Sequence, residues 1–299
     1  MTRFADYLGI DYPRRTPKPR HEGITMVMDQ GWPWQFIEGI LQEWGEYVDV
    51  AKLWDVDLKA PVETIKRKIE CYKKYGVQVQ PGGIFLEASR KQGREDEAIR
   101  KLKELGFDIL EISSTTSTRQ VPEADGEFIR KARKLGFTVF GEVGRKFSDG
   151  DETRFTEDTI DVETTVAEFQ ALIGAGAEKV YWEGHLLRRV IGETAEEIKA
   201  KAGTGTRQVL EVARRVGQDK IVFEASGLVP MTSRRLLQFW LIRLFGPEVN
   251  IGNARIEEMA NLEALRGGSH PVFGFGNLGN YAWMRAMEKQ AEAEWWKGG

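Results

Sequence analysis

Short apolar runs alternate along the chain with longer segments in which apolar residues recur every three or four positions. The first run, Ile24–Met28, is followed by a helical pattern from Pro33 to Trp44. The alternation continues to a last run at Val249–Ile251 and a last helical segment at Ile256–Leu265. Short runs of this kind are typical of buried strands, and the longer segments predict amphipathic helices.

The remaining six predicted strands are also short, with four or five residues each. They cover Tyr47–Ala51, Val77–Gln80, Phe107–Leu110, Phe137–Phe140, Lys179–Trp182 and Lys220–Phe223. Short strands separated by helices of ten or more residues imply parallel pairing. Eight strand–helix units of roughly 30 residues each predict an α/β fold of the (β/α)₈ TIM-barrel type. A doubly wound open sheet is the alternative.

This pattern divides the chain into three parts. Residues 1–22 form an N-terminal arm, residues 23–275 the barrel, and residues 276–299 a C-terminal helical extension. The arm is rich in proline, which disfavours helices and central strands, and in basic residues. One interpretation is that it binds a partner subunit or an anion, and the other is a surface extension. The extension carries Trp283, Trp295 and Trp296, whose apolar surface needs cover. We expect a homo-oligomer, with capping of the barrel floor as the alternative.

Composition removes several classes of function. A formal net charge of −3 does not fit a generally basic nucleic-acid binder. No apolar run is long enough for a membrane span, since the closest, Leu236–Phe245, contains Gln238 and Arg243. The single cysteine, Cys71, excludes an intrachain disulfide and a cysteine-rich zinc site. We therefore expect a cytoplasmic protein with no nucleic-acid or membrane partner.

Polar residues stand where the predicted strands end. In a parallel barrel the carboxyl ends of the strands converge, and the active site lies there. Several converging carboxylates raise one another's pKa unless positive charge compensates them. Lys52, Arg145 and Lys146 supply part of that charge, and a divalent cation such as Mg²⁺ or Mn²⁺ is the simplest remainder. The alternative is a purely structural charge network. The strand-end residues are Asp29, Lys52, Glu111, Glu142, Glu183, Glu224 and Asn253.

A glycine pair follows the third predicted strand. Gly82 and Gly83 come directly after Pro81 and lead into a helix. Bare backbone N–H groups at a helix start bind phosphate or carboxylate groups. On the motif alone, an anion site and a simple turn are equally good interpretations.

Seven segments, in order along residues 23–275, resemble the phosphosulfolactate synthase family. Plant heat-stress-associated proteins are similar to the same family. The resemblance is carried by Gly23–Gly31, Pro81–Glu87, Leu105–Ser113, Gly141–Lys146, Trp182–Gly184, Ile221–Ala225 and Val249–Asn253.

The resemblance implies a Mg²⁺-dependent lyase that adds sulfite to C3 of phosphoenolpyruvate through an enediolate-like intermediate. In this interpretation Lys146 protonates C2, and Lys52 neutralises the substrate's carboxylate or phosphate. Glu111, Glu142 and Glu183 hold the metal, directly or through water. The phosphorylated substrate is bound by Gly82, Gly83, Arg145, His185 and Asn253.

Three departures from the family pattern keep other interpretations open. Leu53–Asp57 adds two acids after Lys52, and His185 stands where the family usually has arginine. Gly268–Pro271 replaces an Arg-Gly-Asp segment. Arginine is the side chain best suited to bind sulfite or phosphate, because its planar guanidinium donates two parallel hydrogen bonds. The alternatives are the same enolate chemistry with another nucleophile or phosphorylated enol, and a non-catalytic stress-related or interaction barrel.

Overall fold

The fold is known from a computed structural model. It describes residues 2–10, 12, 14–113, 122–144, 147–148, 151–155, 160–192, 196–197, 205–225 and 230–269. The C-terminal extension at 276–299 lies outside the described residues.

Eight parallel strands form one sheet, and this confirms the predicted barrel. The sheet order is β3-β2-β1-β10-β9-β8-β5-β4. The two edge strands meet at the remaining seam, where the Asp108 amide donates to the Val79 carbonyl at 2.9 Å. A short antiparallel hairpin, β6–β7, follows β5. The strands are β1 Thr25–Asp29, β2 Val50–Leu53, β3 Gln78–Pro81, β4 Ile109–Ile112, β5 Thr138–Val143, β6 Phe147–Ser148, β7 Asp151–Phe155, β8 Lys179–Trp182, β9 Ile221–Glu224 and β10 Ile251–Arg255.

Helices alternate with the barrel strands, as the periodicity predicts. Asp161 caps α7 by accepting from the Thr164 amide at 2.9 Å, and Gly176 ends that helix with φ 113°. None of the described helices is long and apolar enough to span a membrane. The helices are α1 Phe4–Leu8, α2 Trp34–Trp44, α3 Val62–Lys74, α4 Gly83–Lys91, α5 Glu95–Leu105, α6 Pro122–Lys134, α7 Val162–Ala175, α8 Gly184–Ile191, α9 Gly205–Val216, α10 Met231–Phe245 and α11 Met259–Arg266.

The barrel has an apolar interior that turns polar at one end. Because side chains alternate along a strand, the next inward position lies two residues further on. That step leads from Val50 to Lys52, and β4, β5, β8 and β9 repeat it. We call this end, where the strands terminate, the barrel mouth. The inward apolar residues are Ile24, Met26, Val50, Ile109, Phe140, Tyr181 and Val222, and the step of two reaches Lys52, Glu111, Glu142, Glu183 and Glu224.

The opposite end, the barrel floor, is closed by the N-terminal arm. Arg15 is buried and donates to Glu263 at 2.6 Å and also to Glu248. Arg20 is buried as well and donates to the Glu46 carbonyl at 2.8 Å. The basic residues of the arm are therefore used within the chain, a possibility that the sequence interpretation left out. The homo-oligomer stays a prediction.

Candidate active site

Lys52 is the cation at the centre of the barrel mouth. Its Nζ lies 2.7 Å from Glu111 Oε2 and 3.4 Å from Glu224 Oε1. Burial alone lowers the pKa of Lys52, but the carboxylates of Glu111, Glu224 and Glu142 outweigh it and hold the pKa above its usual value. The neighbouring carboxylates therefore favour the ammonium form of Lys52 in this site.

Two residues that the sequence interpretation missed, Gln80 and Tyr181, complete this part of the site. The Tyr181 hydroxyl donates to Gln80 Oε1 at 2.8 Å, and Gln80 Nε2 donates to Glu111 Oε2 at 2.8 Å. The Lys52 ammonium lies 5.1 Å from the centre of the Tyr181 ring, within cation–π range. The sequence could have indicated both residues, because both occupy inward-facing strand positions. Gln80 is the sheet partner of Lys52, and Tyr181 lies two positions before Glu183.

Three carboxylates lie close together beside Lys52, and one of them is its partner Glu224. Glu142, Glu183 and Glu224 are buried, and one oxygen from each lies within 4.8 Å of the others. Clustered carboxylate oxygens are the donors that hard divalent cations prefer. We call these three residues the carboxylate trio. The family resemblance implies Glu111 in the metal set, whereas in the structure Glu224 lies with Glu142 and Glu183, and Glu111 lies 2.7 Å from Lys52.

Glu183 also anchors the start of α8. Its Oε1 accepts from the His185 amide at 2.8 Å, which is the bonding of a helix N-cap. One turn later, Arg188 Nη2 lies 2.9 Å from His185 Nδ1. Because a guanidinium can only donate, Nδ1 accepts and the ring proton is on Nε2. A guanidinium thus stands beside the position where the family usually has arginine.

The glycine pair at the end of β3 packs tightly against the site. The Gly82 amide donates to the Leu53 carbonyl at 2.8 Å. A Cβ atom on Gly83 would overlap Ser113 Oγ and would lie 2.9 Å from Glu111 Oε1. Steric crowding therefore explains Gly83, and the start of α4 lies beside Glu111.

Asn253 interrupts the alternation of β10. It adopts φ 52°, and the register with β1 shifts there, from Thr25 opposite Ile251 to Val27 opposite Ala254. Its Oδ1 is buried and accepts no hydrogen bond from the residues that the structure describes. Asparagine tolerates this left-handed conformation better than most residues.

Asp29 does not join the mouth cluster. Its Oδ1 accepts from Lys68 Nζ at 3.2 Å, and its Oδ2 accepts from the Tyr72 hydroxyl at 3.2 Å, both from α3. The side chain therefore lies between the strands and the helices. Arg145 and Lys146, the predicted anion ligand and general acid, lie outside the described residues.

A model of the (2R)-phospho-3-sulfolactate synthase (ComA) family matches residues 13–271. The chain belongs to this family. It is 33% identical over 247 residues to the phosphosulfolactate synthase of Methanocaldococcus jannaschii, covering 82% of this chain and 91% of the relative. It is 27% identical over 265 residues to that of Bacillus subtilis, covering 86% and 94%. As a member of the phosphosulfolactate synthase family, the protein is an enzyme of the lyase class.

Proposed function

We propose that this lyase adds sulfite to C3 of phosphoenolpyruvate, with Mg²⁺, through an enediolate-like intermediate. The observation that carries the proposal is the arrangement at the barrel mouth. A buried ammonium, Lys52, and a trio of carboxylates lie side by side there, in a chain of this family. With a divalent cation on the trio, such a site could receive an anionic substrate and stabilise the negative charge that develops on it.

The reaction forms one bond to carbon and then transfers one proton. The sulfur lone pair of sulfite attacks C3, and the C2–C3 π electrons move onto C2 and the carboxylate. C2 then accepts a proton, while the phosphate ester stays intact. The resemblance assigns that proton to Lys146.

Lys52 has an electrostatic role in this scheme. Its ammonium, favoured by the neighbouring carboxylates, balances the negative charge that moves onto the substrate carboxylate in the transition state. In this proposal the proton for C2 comes from a separate residue, Lys146.

The carboxylate trio fits a divalent cation. Three buried carboxylates within 4.8 Å of one another repel, and a divalent cation among their oxygens would relieve that repulsion. Glu142, Glu183 and Glu224 would hold the ion. When bound, Mg²⁺ would supply positive charge that stabilises the substrate's carboxylate as it becomes an enediolate.

The substrate's phosphate has candidate ligands on two sides of the mouth. The backbone N–H at the start of α4, at Gly83, forms one of them, because the Gly82 N–H already donates to the Leu53 carbonyl. The side-chain N–H₂ of Asn253, at the bulge in β10, forms the other.

One structural observation reduces the case for a different nucleophile. Of the two acids in the Leu53–Asp57 segment, Asp57 pairs with Lys68 at 2.9 Å and is buried. It therefore adds no exposed negative charge to the mouth. His185 with Arg188 still departs from the family pattern, and this pair keeps another anionic nucleophile as the second candidate.

Product analysis by mass spectrometry separates these candidates. The protein is incubated with phosphoenolpyruvate, Mg²⁺ and either sulfite or one of a panel of other nucleophiles. We expect a product with the mass of phosphosulfolactate in the sulfite arm. A product in a different arm alone would favour the second candidate, and no product in any arm would contradict the proposal.

A further inference from the structure

A chain of hydrogen bonds crosses the barrel interior beneath the carboxylate trio. It runs from the Tyr181 hydroxyl to Gln80 Oε1 at 2.8 Å, and from Gln80 Nε2 to Glu111 Oε2 at 2.8 Å. The same carboxylate oxygen contacts Lys52 Nζ at 2.7 Å. Gln80 and Tyr181 are fully buried, and β4 and β5 lie between their strands in the sheet.

The direction of these bonds fixes the orientation of the Gln80 carboxamide. The phenol gives its single proton to Oε1, so the amide N–H₂ faces Glu111. The reverse orientation would bring Oε1 against the carboxylate, and two acceptors repel there. Glu111, which can only accept, thereby determines which face of Gln80 it meets, and the Tyr181 hydroxyl holds the opposite face of the carboxamide in place.

The orientation matters because Lys52 has two carboxylate partners. Its Nζ is nearer to Glu111, at 2.7 Å, than to Glu224 of the trio, at 3.4 Å. A lysine ammonium is a point charge on a flexible stem and follows the better-placed carboxylate. If Glu111 lost its anchor, Lys52 would shift towards Glu224, where the cation is proposed to bind.

We infer that Tyr181 and Gln80 are positioning residues, which hold the Glu111 carboxylate and, through it, the Lys52 ammonium in the geometry that the reaction uses. The Tyr181 ring contributes a second contact, since it lies under the ammonium at 5.1 Å. The expected effect on kcat rests on the proposed function. The hydrogen-bond chain from Tyr181 through Gln80 to Glu111, which we call the lock, does not.

The kinetic test compares two tyrosine variants. Tyr181→Phe removes the hydroxyl and keeps the ring. The matched control, Tyr72→Phe, removes another buried hydroxyl. That hydroxyl lies outside the mouth and donates a 3.2 Å hydrogen bond to Asp29. We expect kcat of Tyr181→Phe to fall about 10- to 100-fold through misplacement of Lys52, with KM for phosphoenolpyruvate little changed. Tyr72→Phe should keep wild-type kcat, and a Tyr181→Phe variant as active as wild type would overturn the inference.

A double variant tests whether the two residues act through one chain. Gln80→Met should lower kcat about as much as Tyr181→Phe does. Adding Tyr181→Phe to Gln80→Met should then cost little more, because the connection is already broken. If the losses of kcat of the two single variants multiplied in the double variant, the two residues would act independently, which would contradict the lock.

A spectroscopic test needs no substrate and so separates this inference from the proposed function. In protein labelled with ¹⁵N-glutamine, the Gln80 side-chain amide is assigned by its absence in Gln80→Met. We expect slow solvent exchange of this amide in wild type and in Tyr72→Phe, and faster exchange in Tyr181→Phe. Unchanged exchange in Tyr181→Phe overturns the lock, whatever the activity. Faster exchange in a protein that does not combine phosphoenolpyruvate with sulfite would uphold the lock and reject the proposed function.

Discussion

At the scale of single residues, the site depends on balancing buried charge. Lys52 compensates Glu111 and Glu224 inside the barrel, and Lys68 compensates Asp29 and Asp57 behind it. Removing one partner of a buried ion pair leaves an uncompensated charge. The two lysines have similar burial and similar partners, so they form a matched pair for mutation.

The first prediction uses this pair. Lys52→Met and Lys68→Met should each lower the free energy of unfolding by about 3–5 kcal/mol, measured by urea denaturation. Lys52→Met should in addition abolish turnover, whereas folded Lys68→Met should keep kcat within a few-fold of wild type. Equal loss of kcat in both variants would mean that Lys52 acts through stability alone.

The second prediction concerns proton delivery by Lys146. Lys146→Ala should lower kcat by about 10²- to 10⁴-fold, the usual contribution of general acid catalysis, with a smaller change in KM. Lys146→Arg should not restore activity, because guanidinium does not readily release its proton. Arg145→Ala should mainly raise KM. If Lys146→Arg kept most activity, Lys146 would be an ion-pair partner and not the acid.

At the scale of elements, the strand–helix order could be predicted because each barrel strand is a short apolar run. The convergence of Lys52, Glu111, Glu142, Glu183 and Glu224 followed from their places at strand ends. Asp29 was different, since alternation turns it outward towards α3. Helix α8 and the β6–β7 hairpin were missed. The contacts of Gln80 with Tyr181 depend on closure of the barrel across non-neighbouring strands, which a linear pattern does not reveal.

The third prediction belongs to the turn from β3 into α4. Gly83→Ala should destabilise the protein by about 1–3 kcal/mol through overpacking, since its Cβ would overlap Ser113 Oγ. Gly82→Ala should fold normally, because its Cβ would lie 3.4 Å from the Leu53 carbonyl oxygen and its φ is −64°. If this turn binds phosphate, Gly82→Ala should raise KM for phosphoenolpyruvate. An unchanged KM would remove the turn from the phosphate site.

At the scale of the whole molecule, the two ends of the barrel have different roles. The mouth carries Lys52 and its buried carboxylates, and the floor is closed by the arm, through Arg15 and Arg20. The arm uses its basic groups within the chain, while Phe4, Tyr7 and Ile10 leave large apolar side chains exposed on it. Trp283, Trp295 and Trp296 remain the sequence's main indication of an interface.

The fourth prediction concerns that interface. Light scattering should report a homo-oligomer for the full chain and a smaller species after deletion of residues 280–299. The reason is that removing the three tryptophans removes the apolar surface that needs cover. A monodisperse monomer before and after deletion would leave capping of the barrel floor as the role of this segment.

The most direct measurement follows the carbon atoms of the substrate. Phosphoenolpyruvate labelled with ¹³C at C3 is incubated with sulfite and Mg²⁺ in ²H₂O and monitored by NMR. We expect the C3 signal to move from a vinyl to a sulfonate-bound methylene position, with one deuterium at C2 and no release of phosphate. Chelation of the metal by EDTA should stop the change, and Mg²⁺ should restore it. A C3 signal that stays vinyl, or that moves with loss of phosphate, would contradict the addition of sulfite to C3.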